Sequence, residues 1–122
     1  MEVDLKERTK AYALRIIRMY STLAKHDSVA QILGKQVLRS GTSVGANYRE
    51  AARSRSKAEF ISKIGDSLKE IEESAYWLEL LLDSGCVAPA KLTDLLDETR
   101  QLIAIFTTID KRAKEKKTQD AK

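Results

Sequence analysis

Between Ser56 and Gly85 the apolar residues recur alternately three and four apart: Ile61, Ile64, Leu68, Ile71, Ala75, Leu78, Leu82. At 3.6 residues per turn this spacing puts them on one stripe of a helix, and a strand cannot sustain it. The run is bounded as a helix should be. Ser56 and Glu59 have capping-box spacing, and Gly85 suits the left-handed position that closes a helix. Three more stretches carry the same rhythm. Leu5, Thr9, Tyr12, Ile16, Met19 and Leu23 predict a first helix from about Asp4 to about Lys25, with Asp4 and Glu7 at its cap. Leu33, Val37, Ser40, Val44, Asn47 and Ala51 predict a second helix from Ser28, where Ser28 and Gln31 have capping-box spacing. Leu92, Leu95, Thr99, Leu102, Phe106, Ile109 and Ala113 predict a fourth, entered at Pro89 with Val87 and Leu92 spaced as a hydrophobic staple. One proline and five glycines are too few turn formers for a fold of many short strands. The expectation is an all-α, up-down-up-down four-helix bundle: one domain over residues 1–117, then a disordered basic tail at 118–122.

One segment resists this reading. Ser40-Gly41-Thr42-Ser43-Val44-Gly45 looks locally like a loop, since each glycine costs a helix about 1 kcal/mol against alanine. The apolar phase runs through it unbroken, and Gly41 and Gly45 are four apart. A continuous helix approached closely by a neighbour is therefore expected.

The side chains exclude most chemistry. The lone cysteine, Cys86, rules out an intrachain disulfide framework and a multi-cysteine metal site. The lone histidine, His26, lacks the Glu-x-x-His context of a di-iron bundle, position 23 being Leu23. There is no phosphate-binding glycine loop. His26 and Cys86 fall in loops at one end of the bundle, but no oxyanion donor accompanies them, and they read as unrelated loop residues. No catalytic, cofactor or metal site is expected. No run of 18 apolar residues exists and the chain opens on the acidic Met-Glu-Val-Asp, so a cytoplasmic location without membrane contact is expected.

What remains is surface. The net charge is +4, and it is unevenly shared: the first two helices are basic and the third is acidic. Lys35, Arg39, Arg49 and Arg53 share a face of the second helix, with Arg15 on the polar side of the first. These five are the candidate nucleic-acid contacts, made to phosphates rather than to bases because only Tyr48 is an aromatic neighbour. The bland alternative is a solvated or salt-bridged face. The end of the third helix is apolar nearly all round, and the first helix has a second apolar stripe. Tyr20, Trp77, Leu80 and Leu81 are therefore the candidate oligomer contacts. Asn47 lies on the apolar face of the second helix and is expected to be a buried register-setting polar group, with Glu50 beside it.

The stretch Gln36, Arg39, Ser43, Asn47-Tyr48-Arg49-Glu50-Ala51, Ser56, Glu59-Phe60 and Ser67-Leu68-Lys69-Glu70 resembles the bacterial 23S rRNA intervening-sequence protein family. The Asn-x-x-Glu-Ala block followed by Ser-x-x-Glu-Phe is its most specific element. The resemblance implies a left-handed four-helix bundle that assembles as a homopentamer, with no established catalytic residues. The accessory proteins of diversity-generating retroelements are similar in fold and bind nucleic acid and a reverse transcriptase. Two functions are thus expected to compete: non-enzymatic binding of RNA or DNA by an oligomer, or a protein-interaction scaffold using the apolar end of the third helix.

Overall fold

The computed structural model describes residues 4–120, with side chains described to residue 116. Its elements are four helices: α1 (Leu5–Ser21), α2 (Ser28–Ala52), α3 (Lys57–Asp83) and α4 (Pro89–Asp120). No strand occurs among the described residues. Successive helices run antiparallel through short loops at 22–27, 53–56 and 84–88. α1 packs on α2, α2 on α3 and α3 on α4, while α1 and α4, the remaining adjacent pair, touch only slightly.

The helix ends follow the local chemistry. Asp4 Oδ1 accepts from the Glu7 N–H at 3.1 Å and starts α1. α1 stops at Ser21, short of Lys25, because Ser21 and Thr22 turn their hydroxyls back onto the Ile17 and Met19 carbonyls and tighten the last turn. α2 is capped by Asp27, whose Oδ1 accepts from the Ala30 N–H at 3.1 Å; Ser28 is the first helical residue and not the cap. Gln31, the expected second half of that box, donates to the Ala24 carbonyl and accepts from the Tyr20 hydroxyl. Ser56 caps α3 as expected, and Glu59 also accepts from the Arg55 N–H. Gly85, at φ +79°, closes α3: the Cys86 N–H reaches the Leu81 carbonyl and the Gly85 N–H reaches Leu82. Val87 and Leu92 are both buried at the entry to α4. α4 continues to Asp120, three residues into the expected tail; residues 121–122 lie outside the described residues.

α2 is continuous through Gly41 and Gly45. A Cβ on Gly41 would stand 2.8 Å from Ile16 Cγ1, and one on Gly45 would stand 3.0 Å from Thr9 Oγ1. Gly34 presses on Leu23 in the same way. α1 therefore lies against a glycine-lined groove of α2, and this close contact outweighs the local helix cost.

On α3 the buried residues are Ile64, Ser67, Ile71, Ser74, Leu78 and Leu81. The seam is rotated from the expected one: Leu68 and Leu82 are only partly buried, and two serines and Leu81 replace them. The serines are accommodated by pairing. Ser67 donates to the Val44 carbonyl at 3.0 Å, and Ser74 shares a 2.8 Å bond with Ser40. Tyr12 and Thr99 make a second hydroxyl pair at 2.7 Å.

Candidate nucleic-acid interface

Antiparallel packing sorts the expected basic residues into four groups. Arg39 is drawn to α3, where it donates to Glu73 at 2.7 Å and Glu70 at 3.2 Å. The Glu73 hydrogen bond is the main cause that holds its guanidinium above the ordinary value. Arg39 is thus engaged in an intrachain ion pair while about half of its side chain stays exposed, 51%. Arg15 lies on the opposite side of α1, in a cleft of about 370 Å³ shared with Arg18, Lys91 and Asp94. Lys35 is exposed on α2, 14 residues and hence about 21 Å from Arg49 along the axis.

Arg49 and Arg53, one turn apart at the end of α2, remain together. With Lys6 of α1, Tyr48 and Ala52 they line a cavity of about 110 Å³. None of the three cations makes an ion pair among the described residues. Two carboxylates at this end are engaged already. Glu50 accepts from Lys63 at 2.7 Å, a hydrogen bond that lowers its pKa and raises that of Lys63. Glu59 holds the Arg55 N–H. Tyr48 packs edge-on against Phe106 (6.0 Å between centroids) and also lines an adjoining cleft of about 660 Å³ with Leu5, Ala104, Ile105, Thr108, Ile109 and Arg112. Lys6 is the residue that sequence reading missed. Its place depends on how α1 registers against the α2 glycines, and the only sequence signal was its position on the outer face of α1.

The other expected sites change as well. Asn47 is half-buried and Glu50 is exposed, so neither is a buried polar group. Both lie on the α3 flank of α2, where Glu50 reaches Lys63 at the surface. Leu81 is fully buried in its own bundle and offers no surface to a partner. Tyr20 packs against Gly34 and bonds Gln31, on the α1 flank of α2. Trp77 and Leu80 are half-buried on the other flank, so the four do not form one surface. Ile32 and Leu80 each lie seven residues from a member of the Arg39–Glu73 pair, which puts them two turns further along that flank. Ile32 and Val29 are 62% and 52% exposed. With Trp77 and Leu80 they make an apolar patch that sequence reading assigned to α3 alone.

Fold and surface define an all-α four-helix bundle with a basic corner and an apolar flank, and among the described residues no cluster of side chains suits a metal ion. No helix is long and apolar enough to cross a membrane. The chain belongs to the 23S rRNA-intervening sequence protein family, whose model matches residues 1–108. It is similar to a crystal structure from Bacteroides thetaiotaomicron described as a protein with unknown function from the S23 ribosomal protein family. The two are 35% identical with a TM-score of 0.81, over 87% of this chain and 97% of that one. No curated protein matches the chain.

Proposed function

We propose that this is a non-enzymatic, oligomeric nucleic-acid-binding protein that holds phosphates at the Lys6–Arg49–Arg53 corner. One observation carries the reading: three cations from two helices converge on one small cavity, and none of them makes an ion pair among the described residues. Arg55, Lys57, Arg112 and Lys116 come from the same end of the bundle, at the close of α2, the start of α3 and the close of α4. Such a surface neutralises backbone phosphates without reading bases. Tyr48 is the one aromatic wall, too little for stacking along a single strand. The apolar flank of Val29, Ile32, Trp77 and Leu80 is the contact that assembles the ring of five implied by the family resemblance, and the ring repeats the basic corner around an axis.

Changing Arg49 and Arg53 together to Glu tests the corner. Fluorescence anisotropy with labelled RNA and DNA should show at least a 100-fold loss of affinity, with helicity and oligomer mass unchanged. Binding that survives the double change would overturn the site. The second reading, a protein-docking scaffold, is favoured by the same apolar flank, and it predicts partner capture that is insensitive to Arg49 and Arg53 and to salt.

A further inference from the structure

The large apolar side chains exposed among the described residues stand in two places. Val29, Ile32 and Tyr76 lie on the α2–α3 flank, where the Tyr76 and Trp77 rings are 5.2 Å apart. Leu14 and Ile17 lie on α1, on a face turned away from its buried stripe of Tyr12, Ile16 and Met19. α2 packs between α1 and α3, so the two patches look out on different sides of the bundle. They stand at one level all the same. Leu14 and Ile17 fall in roughly the last two turns of α1, Val29 and Ile32 in the first two of α2, and Tyr76 in the last two of α3.

Each patch has a charged border, and the borders are opposite in sign. Arg18 stands one turn beyond Leu14. With Arg15 and Lys91 it lines the cleft of about 370 Å³ between α1 and α4, which the buried Met19 and Leu95 also line and where Asp94 is the one carboxylate. On α3, Glu72 lies one turn before Tyr76 and Asp83 two turns after it, both exposed. Neither these two carboxylates nor the three cations of the cleft make an ion pair among the described residues. A basic border thus frames the α1 patch, and an acidic one frames the aromatic end of the other.

We propose that the outer face of α1 in one copy receives the α2–α3 flank of the next, head to tail, with Leu14 and Ile17 against Ile32 and Tyr76, and Arg18 and Lys91 against Glu72 and Asp83. The contact rests on the ring proposed above and supplies its second surface, since in a ring each copy offers one patch and receives a different one. Like-with-like contacts are disfavoured, because they would set the acidic border against itself or the basic border against itself. The two patches share a level on different sides of the bundle. Each step from copy to copy is therefore a rotation with little shift along the bundle axis, which closes into a ring and does not climb into a filament. Such a contact closes with an odd number of copies as readily as with an even one. It occupies the end of the bundle at loops 22–27 and 84–88, whereas Lys6, Arg49 and Arg53 stand at the other end and stay open. The ring thus presents every phosphate-binding corner from one rim.

Sedimentation equilibrium of the full chain at high micromolar concentration, alone and in mixtures, tests the contact. Ile17→Glu and Ile32→Glu each spoil one surface and leave the other, and both side chains are exposed, so the fold and its helicity should be kept. Each variant alone should fall to the 13.7 kDa of a single chain. Mixed in equal amounts, the two should form a species of twice that mass and no larger, because the intact flank of one meets the intact α1 face of the other and the surfaces left over are both spoiled. Arg18→Glu with Lys91→Glu should also dissociate the ring, and adding Glu72→Lys with Asp83→Lys to the same chain should restore it. An Ile17→Glu variant of wild-type mass, a mixture that stays at single-chain mass, or a fourfold variant that stays dissociated would overturn this contact and leave the ring standing. A wild type that runs as a single chain would overturn the ring and the contact with it.

Discussion

Tyr12 is buried at the centre of the bundle with its hydroxyl 2.7 Å from Thr99 Oγ1. Thr99 gives its one proton to the Leu95 carbonyl, so Tyr12 is the donor in that pair. Burial is the main cause that pushes the phenol from 10.0 up to about 12. The unfolded chain gives up this proton near its ordinary value and the folded chain near 12. The stabilisation is therefore complete below pH 10 and is lost as pH rises through 12, by about 2–3 kcal/mol. Tyr12→Phe removes that loss. Urea unfolding of the two proteins from about pH 9 to about pH 11.5 should show the wild type falling more steeply, with a neutral-pH difference of only about 1 kcal/mol. Equal slopes would contradict the assignment. Tyr12, Ser40 and Thr99 were legible in the sequence as members of apolar stripes. Ser67 and Ser74 were not, because a hydroxyl joins a core only when a partner on another helix satisfies it, and periodicity carries no record of that partner.

The helices themselves were legible wherever one face repeated over several turns, which is why four of them, their order and the capping of α1 and α3 follow from spacing alone. The rotation of α3 was not. Leucines at 68 and 82 outrank serines at 67 and 74 on any hydropathy scale, and taking them as the seam turns Leu81 outward. The glycines show how packing decides such conflicts. At Gly41 a methyl meets the Cγ1, Cγ2 and Cβ atoms of Ile16, a stiff branched side chain that cannot swing away. Gly41→Ala should therefore destabilise by about 1–2 kcal/mol, overpacking exceeding the gain in helix propensity. Gly65→Ala meets open space and should stabilise the bundle by about 0.5–1 kcal/mol. Urea midpoints shifted the same way by both changes would contradict the glycine-groove account of α1 and α2.

Over the whole molecule, a net charge of +4 is distributed by pairing as much as by composition. Arg39 is taken up by Glu70 and Glu73, Arg8 by Glu98 and Lys63 by Glu50, which leaves the end holding Lys6, Arg49 and Arg53 as the open basic corner. Sequence reading found two of those three, since Arg49 and Arg53 share a helix face by spacing alone. It kept Arg39 with them because the facing carboxylates belong to another helix, 31 and 34 residues on. One chain offers few phosphate contacts, so tight binding requires the corner to be repeated in an assembly. The measurement that bears most directly on the proposed function is the salt dependence of affinity for labelled RNA and DNA. Log affinity should fall linearly with log salt, with a slope of roughly −0.9 per neutralised phosphate on duplex DNA and about −0.7 on single strands. Arg49→Glu with Arg53→Glu should flatten that slope by at least about two contacts' worth for each corner engaged. A slope near zero in the wild type, or one that the double change leaves untouched, would contradict the phosphate-binding corner.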